Sequence, residues 1–258
     1  MDLHKVRKSS KEQQRIADLL AMMPAGRLVL DVGARDGYIS CLLTSSFEHV
    51  VALDLERPQI GHERVTAVAG DVTCLRFPDN SFDTVLCAEV LEHIPSPLLR
   101  KACDEIARVA RQHVLIGVPY MQDIRVGRTK CCLCAKANPP WGHVNVFDEN
   151  RLRGLFPRLA LERVSFVGKK KSRTNCLSAF LMDLAGNPFG VYDQEERCIF
   201  CGAKLEPPAE IGLPQRVLAR AAFLIRRVHE PFTSPHPNWL HALFVKHGLA
   251  PDDKSRVA

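Results

Sequence analysis

Long apolar runs are missing from this 258-residue chain, and their absence limits where the protein can act. No stretch stays apolar over the roughly 20 residues that a helix needs to cross a bilayer. The N-terminus, MDLHKVRKSSKEQQ, also lacks the apolar centre of a secretory signal peptide. We therefore expect a cytoplasmic protein, in which cysteines stay reduced or bind metal.

Basic clusters interleaved with aromatic residues are absent too, and so are internal repeats. Single-stranded nucleic acid is commonly held by such clusters, because bases stack on aromatic rings. The formal net charge of +6 arises from 35 basic and 29 acidic residues and is mild. A solvated basic surface accounts for it, and a nucleic-acid partner is not required.

A strand–turn–helix–strand unit is the most informative pattern in the chain. The segment RLVLDVGARDGYIS is an apolar run that ends in Asp31, with Gly33 and Gly37 in the turn behind it. The next apolar run, HVVALDLE, ends in Asp54. This is the arrangement with which α/β sheets hold a nucleoside, the second acid reaching the ribose hydroxyls. It predicts an enzyme that binds an adenosine-containing cofactor.

The glycine spacing distinguishes between cofactors. A dinucleotide-binding turn reads G-x-G-x-x-G, and its middle glycine lets the backbone approach a pyrophosphate. Arg35 occupies that place here. The observed pattern, Asp31-x-Gly33-x-Arg35-x-Gly37, instead resembles the D-x-G-x-G-x-G motif of class I S-adenosylmethionine (SAM)-dependent methyltransferases.

The resemblance to this family extends from residue 27 to about residue 168. The matching segments are Asp54, Gly70-Asp71-Val72, FDTVLCAEVLEHI at 82–94, VLIGVPY at 114–120 and the histidine-bearing GHVNVFDENRLRGLF at 142–156. The last of these is similar to the branch that methylates small molecules and sugars.

The resemblance implies SAM as the cofactor. It implies these cofactor-binding residues: Asp31, Gly33, Arg35, Gly37, Asp54, Leu55, Asp71, Val72 and Glu89. Arg35 departs from the family's glycine, and its guanidinium either pairs with the cofactor's carboxylate or points to solvent.

The order of predicted strands and helices specifies the fold class. Buried parallel strands are short, apolar and rich in β-branched residues. Five segments have this character: 27–31, 49–54, 64–69, 82–87 and 113–118. A sixth strand fits 161–167, and 238–248 is predicted as the seventh, since its rival, 176–183, has helical periodicity. We expect an α/β fold with a doubly wound, Rossmann-like, mostly parallel sheet of seven strands, an antiparallel seventh strand and a zinc-stapled insertion.

The same pattern divides the chain into four parts. They are an N-terminal helix (1–26), the SAM-binding Rossmann-like core with a cysteine-rich loop at 130–143 (27–168), an insertion with an amphipathic helix (169–237), and a final strand and tail (238–258). Ser10 and Gln13 are predicted to cap the first helix. The run 169–173 is predicted to be a solvated linker.

Two Cys-x-x-Cys pairs predict a metal site. Cys131-x-x-Cys134 follows strand five, and Cys198-x-x-Cys201 lies in the insertion. The loops after strands five and six leave a parallel sheet at the same edge, so the two pairs can meet. Four thiolates would hold Zn²⁺ in a tetrahedron with no open position for water, which is a structural site.

Several alternatives to this site stay open. The four thiols could be reduced and unligated, or one pair could be a redox switch. Cys132 could replace Cys131, and His143 could compete as a ligand. The nearby Asn138-Pro139-Pro140-Trp141 resembles the N-P-P-aromatic signature of amino-methyltransferases, but those enzymes place it at the end of strand four. We interpret it here as a proline turn in the cysteine loop.

Methyl transfer itself asks for few protein groups. Most of the rate enhancement comes from holding the nucleophile about 3 Å from the methyl carbon and in line with sulfur. If the acceptor is a hydroxyl, a base must take its proton. His143 is the first candidate, because the resemblance places a loop histidine beside the acceptor pocket, and His93 is the second. Each could equally be a polar residue on the pocket rim, while Glu89 and Tyr120 are expected to shape the pocket.

These features predict a SAM-dependent methyltransferase that acts on a hydroxyl of a sugar or other small metabolite. Two other classes stay open: an RNA or protein methyltransferase, and a methyltransferase-like binding module without catalysis. The basic amphipathic helix near 214–229 packs on the sheet or on a second subunit, or else it rests on a membrane surface near lipid-linked acceptors. The sequence sets no oligomeric state.

Overall fold

A seven-stranded sheet lies at the centre of the computed structural model, which describes residues 9–168, 174–233 and 236–246. Its strand order is β3-β2-β1-β4-β5-β9-β8. The strands are β1 (Gly26–Val32), β2 (Phe47–Asp54), β3 (Val65–Ala69), β4 (Phe82–Ala88), β5 (Ala110–Pro119), β8 (Ala160–Val167) and β9 (Trp239–Val245). The predicted α/β fold class is confirmed.

Parallel pairing brings the carboxyl ends of the first strands to one edge of the sheet. Strand β1 pairs with both β2 and β4, which places Asp31 beside Ala52 and Leu86. Strand β3 continues the sheet on the β2 side, and β5 continues it on the β4 side. The chain therefore reverses its direction of growth between β1 and β4, and ligands of such sheets bind at that point.

Apolar residues cover both faces of the sheet. Val29 packs in a cluster with Leu19 and Met22, whereas Leu30, the next residue, packs in a larger cluster. Successive side chains of a strand point to opposite faces, so the two clusters lie on opposite sides. Burial on both faces explains why the strands appear as nearly continuous apolar runs.

Strand β9 runs antiparallel between β5 and β8. It is the predicted seventh strand, and its antiparallel direction is confirmed. The rival segment is a helix, Cys176–Leu184, whose N-cap residue Asn175 accepts a hydrogen bond from Ser178 N. Helical periodicity therefore outweighed the apolar character of that segment.

Six α-helices lie in the described residues. They are α1 (Ser10–Met22), α2 (Tyr38–Leu43), α3 (Ser96–Val109), α4 (Glu149–Leu155), α5 (Cys176–Leu184) and α6 (Leu213–His229). The prediction that Ser10 and Gln13 cap α1 was wrong by one residue. Ser9 is the N-cap, and its side chain accepts from Glu12 N. The sequence SSKEQ contains two overlapping capping patterns, and the structure uses the earlier one.

The remaining chain elaborates the sheet. A two-stranded hairpin, β6 (Thr129–Lys130) and β7 (Ala137–Asn138), follows β5. Helices α5 and α6 pack together through Ala219 and Ala222, and Ser178 Oγ donates to the carbonyl oxygen of Ala222. The four-part domain division stays a prediction.

Two predicted segments, the linker at 169–173 and the tail from 247 to 258, lie outside the described residues. Among the helices that the structure does describe, none combines the length and the apolar character needed to cross a membrane.

Candidate active site

A cavity of about 920 Å³ opens at the carboxyl ends of β1, β2 and β4. The structure brings most of the predicted site residues to its wall. They are Asp31, Gly33, Arg35, Asp54, Leu55, Asp71, Val72, Glu89, His93 and His143. Gly37 lies at the N-cap of α2, between the lining residues Asp36 and Tyr38.

The turn after β1 requires glycine at two positions. Gly33 and Gly37 have φ angles of +79° and +77°. A Cβ atom on Gly33 would lie 2.3 Å from Val90 Cγ2, and one on Gly37 would lie 2.2 Å from Ile60 Cδ1. Both the backbone conformation and the available space therefore exclude a side chain. The two glycines therefore let this turn pack directly against the side chains of Val90 and Ile60.

Arg35 occupies the place of the family's middle glycine and has a φ angle of +51°. Its guanidinium donates to Glu195 Oε2 at 2.8 Å. This acid in the predicted insertion is a partner that the sequence did not indicate. Both side chains are 49% exposed, so the pair contributes at most about 1 kcal/mol to stability.

Asp54 is held by two backbone amides at the end of β2. Arg35 N donates to its Oδ2 at 2.8 Å, and Leu55 N donates to its Oδ1 at 2.7 Å. A carboxylate accepts about four hydrogen bonds, so this one retains capacity for two ligand hydroxyls. At the neighbouring turn, Asp71 Oδ1 accepts from Thr73 N, and Leu55 is exposed beside the cavity.

Two histidines line the cavity beyond β4 and β5. His93 and His143 meet edge to face, with ring centroids 4.6 Å apart. His143 is buried, and its Nδ1 lies 2.6 Å from Gln122 Oε1. Burial lowers the pKa of His93 to about 4, and the charge of Arg35 adds to this. His93 is therefore neutral at pH 7.

Glu89, at the end of β4, faces groups from both ends of the chain. Trp239 Nε1 donates to its Oε2 at 3.4 Å. Burial raises the pKa of Glu89, while the charge of Arg15 and the Trp239 hydrogen bond lower it. The Glu89 carboxylate is thus stabilised by the charge of Arg15 and by the indole N–H of Trp239.

Comparison with known proteins assigns a large part of the cavity wall to a domain family. The profile described as a methyltransferase domain matches residues 30–116, which contain the glycine turn, Asp54, Asp71 and Glu89. This chain carries a class I SAM-dependent methyltransferase domain. The matched residues contain the end of β1, all of β2, β3 and β4, and most of β5.

Curated relatives of the methyltransferase domain cover part of the chain. The demethylmenaquinone methyltransferase of Clavibacter sepedonicus is 37% identical over 106 residues, which are 38% of this chain and 42% of that protein. The ubiquinone biosynthesis O-methyltransferase of Hahella chejuensis is 30% identical over 102 residues, 35% of this chain and 42% of that protein. The chain thus spans less than half the length of these relatives.

A solved structure extends the likeness beyond the methyltransferase domain. The N-methyltransferase NodS of Bradyrhizobium japonicum superposes with a TM-score of 0.54 at 14% identity, covering 93% of this chain and 98% of that one. At this identity the likeness establishes the fold alone.

Asp31 is a buried acid at the end of β1, at the wall of the cavity. It is 4% exposed, and Ser40 Oγ donates to its Oδ2 at 2.6 Å. Burial raises the pKa of Asp31 to about 6, although the Ser40 hydrogen bond opposes the shift. Its ionised form therefore lacks solvation in this cavity, and a positively charged ligand group would stabilise it.

We expect SAM to bind more weakly to this domain as the pH falls below about 6. Asp31 is protonated below its raised pKa and must then release a proton before it can pair with the cation of SAM. The calorimetric Kd should rise roughly tenfold from pH 7 to pH 5.

The matched variant Asp31→Asn should bind more weakly at pH 7 and lose this pH dependence. The unliganded protein should respond in the opposite direction. A raised pKa gives stability that is present below pH 4 and lost as the pH rises through about 6, so Asp31→Asn should stabilise the empty protein at pH 8. An equal Kd at pH 5 and pH 7 would contradict this account of Asp31.

The four predicted cysteines form one cluster outside the methyltransferase domain. Cys131 Sγ lies 3.6 Å from Cys201 Sγ, and Cys134 Sγ lies 3.5 Å from Cys198 Sγ. All four sulfur atoms lie within 4.8 Å of one another. Four Zn–S bonds of about 2.3 Å in a tetrahedron place sulfur atoms about 3.8 Å apart. The observed spacing fits such an ion.

The alternatives for this cluster receive less support. Cys132 is exposed, and the cluster forms without it. His143 groups with His93 and not with the cysteines. Asn138 of the N-P-P-W segment is buried, and its Oδ1 accepts from Ile199 N at 2.9 Å, so it joins the two cysteine loops.

Four residues near the cavity were not predicted to line it. Arg15 is buried beside Glu12, and Gln122 contacts His143. Trp239 contacts Glu89, and Trp141 lines the wall although its segment was interpreted as a turn. The sequence does give an indication for Arg15, because this charged residue lies on the buried, otherwise apolar face of α1. It gives none for Gln122, because nothing in its local sequence marks it.

Proposed function

We propose that this chain is a SAM-dependent methyltransferase that transfers a methyl group to a hydroxyl of a sugar or another small metabolite. The observation that carries the proposal is a single cavity lined both by Asp54 and Asp71 and by His93 and His143. Asp54 and Asp71 offer hydrogen-bond acceptors to a nucleoside. His93 and His143 offer ring nitrogens that can accept or donate a proton.

In this proposal SAM lies across the carboxyl ends of β1 and β2. Asp54 accepts the ribose hydroxyls, while Leu55, Asp71 and Val72 surround the adenine. Asp31 and Glu89 supply negative charge to the positive end of the cofactor, which lies beside the turn from Gly33 to Gly37. NodS has also been solved with S-adenosyl-L-homocysteine, at 14% identity and a TM-score of 0.52 over 95% of this chain and 91% of that one. That ligand supports the placement.

The transfer proceeds as an in-line displacement. The acceptor oxygen forms a bond to the methyl carbon, the carbon–sulfur bond breaks, and its electron pair stays on sulfur. We propose His143, with Gln122 on its Nδ1, as the first candidate to take the hydroxyl proton, and His93 as the second. A relative named as an O-methyltransferase supports an oxygen acceptor.

Calorimetry and label transfer test this function. SAM should bind the purified full chain, and labelled methyl should pass from SAM to members of a panel of sugars and hydroxylated metabolites. Transfer to RNA instead, with binding that weakens steeply with salt, would identify the alternative acceptor class. Binding without transfer to any member would identify a binding module, and no binding would overturn the proposal.

We further propose that the cysteine cluster holds structural Zn²⁺. Cys131 and Cys134 belong to the hairpin loop after β5, and Cys198 and Cys201 belong to the predicted insertion. Zinc would therefore join two segments that are far apart in sequence. With four thiolates the ion keeps no open position, so it would take no part in the reaction.

Helices α5 and α6, together with the residues that follow each of them, carry exposed apolar side chains, which we call the apolar helix surface. It holds about half of the large apolar side chains that are exposed in the described residues: Leu177, Phe180, Leu184, Phe189, Leu213, Val217, Phe223, Leu224, Val228 and Phe232. Helix α6 also carries four arginines and no acidic residue. A second copy of this surface would place arginines against arginines. We therefore propose an anionic bilayer surface as its partner.

We expect the protein to sediment with vesicles that contain anionic lipid, and less so as salt rises. The double variant Leu224→Ser/Val228→Ser should bind at least about tenfold more weakly, because each side chain contributes apolar area that is buried in the bilayer. Leu133→Ser is the matched control, since Leu133 is 78% exposed but lies in the cysteine loop. If the protein does not sediment with vesicles, and forms a dimer that the Leu224→Ser/Val228→Ser variant does not form, a second copy is the partner.

A further inference from the structure

A buried carboxylate beside the cavity lacks a hydrogen-bond partner. Glu92 is 0% exposed, and neither of its carboxylate oxygens has a partner among the described residues. Glu89 likewise leaves Oε1 without a partner in this part of the chain. Burying an ionised carboxylate in this way costs several kcal/mol unless a proton or a cation compensates it.

Two histidines lie within reach of this carboxylate. One carboxylate oxygen of Glu92 and one ring nitrogen from each of His93 and His143 all lie within 4.8 Å of one another. The backbone fixes this arrangement, because Val144 N and Asn145 N both donate to the carbonyl oxygen of Glu92, at 2.8 and 3.2 Å. The loop that carries His143 is thereby tied to the turn that carries His93.

We propose that Glu92, His93 and His143 bind one divalent cation at the wall of the cavity. Two imidazoles and one carboxylate form a set that holds first-row divalent metals and leaves coordination positions open. Gln122, 2.6 Å from His143 Nδ1, orients that ring. Oxygen and nitrogen ligands suit Mn²⁺, whereas the four thiolates of the cysteine cluster suit Zn²⁺.

This inference rests on the proposed function and changes the part that the two histidines play in it. They hold a Lewis acid and do not themselves take the proton. The cation lowers the pKa of the acceptor hydroxyl, which releases its proton to water, and the oxygen then attacks the methyl carbon as sulfur departs with the electron pair. Adjacent open positions fit two neighbouring oxygens, so the acceptor class becomes a vicinal diol of a sugar or a comparable metabolite.

The test is a titration of the full chain with Mn²⁺, followed by electron paramagnetic resonance of the free ion. The protein is first freed of weakly held metal, and elemental analysis verifies that its zinc content is unchanged. We expect one Mn²⁺ site per chain. Glu92→Gln and His93→Asn should each weaken Mn²⁺ binding at least about tenfold, while Glu196→Gln, a cavity-rim acid outside the cluster, should leave it unchanged.

Stability gives a second readout that does not depend on activity. In wild-type protein Mn²⁺ should raise Tm, and in Glu92→Gln it should not. Without Mn²⁺, Glu92→Gln should be at least as stable as wild type, because it removes an uncompensated buried carboxylate. This second comparison also shows that the variant folds.

The outcomes separate this inference from the proposed function. Methyl transfer that proceeds equally with and without Mn²⁺, in a protein that binds no Mn²⁺, would overturn the cation site and leave the methyltransferase intact. Mn²⁺ binding that needs Glu92, in a protein that binds no SAM, would support the site and overturn the proposed reaction. Mn²⁺ binding that is equal in Glu92→Gln would also overturn the site.

Discussion

Replacing Asp54 with alanine is expected to weaken SAM binding by about 100-fold or more. Hydrogen bonds from two ribose hydroxyls to an ionised carboxylate contribute about 1.5 kcal/mol each at the lower end, which together correspond to this factor. The variant also leaves Arg35 N and Leu55 N without the partners that shape the turn. Calorimetric titration with SAM measures the loss, and Asp54→Asn should fall between wild type and Asp54→Ala.

Glu48→Ala provides the matched control for Asp54. Glu48 lies on the same strand, is exposed, and pairs with Arg27 away from the cavity. Its removal should change SAM affinity by less than about twofold. Unchanged SAM affinity in Asp54→Ala would show that the ligand does not contact β2, and the proposed cofactor placement would then be wrong.

Removing one cysteine of the cluster is expected to abolish zinc binding and to lower the stability of the chain. Cys198→Ser leaves three thiolates, and a structural zinc site contributes on the order of 10 kcal/mol of apparent binding energy, much of which stabilises the fold. Elemental analysis should find stoichiometric zinc in wild type and little in the variant. Thermal unfolding should show a lower Tm.

Cys132→Ser is the control for the cysteine cluster, because Cys132 is adjacent to Cys131 but exposed and outside the cluster. It should retain zinc and Tm. Substoichiometric zinc in wild type purified without chelators, together with four titratable thiols at these positions, would favour unligated cysteines. A mass two hydrogens lower would favour the redox pair.

Much of the sheet could be predicted, because local and global preferences agree there. Strands buried on both faces need continuous apolar runs, and Asp31 and Asp54 mark the ends of two such runs. Even the antiparallel β9 was predictable, since its competitor shows helical periodicity. The cap of α1 was misplaced by one residue, because overlapping Ser-x-x-Glu and Ser-x-x-Gln patterns have similar energies.

The site was only partly predictable for a different reason. Its polar contacts join residues that are distant in the sequence, such as Arg35 with Glu195 and Trp239 with Glu89. No local sequence pattern predicts the contact between Arg35 and Glu195, because it depends on where the insertion packs relative to the turn after β1. Glu92 was also not predicted as a site residue, because a glutamate is usually solvated and only the structure shows that this one is buried.

The position of β9 sets the order in which the protein can mature. Among the described strands it is the last in sequence, yet it lies between β5 and β8 and pairs with both. Until β9 is synthesised, β5 and β8 each have an unpaired hydrogen-bonding edge. A chaperone that binds the chain at this stage would protect these edges from self-association. Because Trp239 begins β9 and contacts Glu89, this part of the cavity wall forms only after β9 has been synthesised.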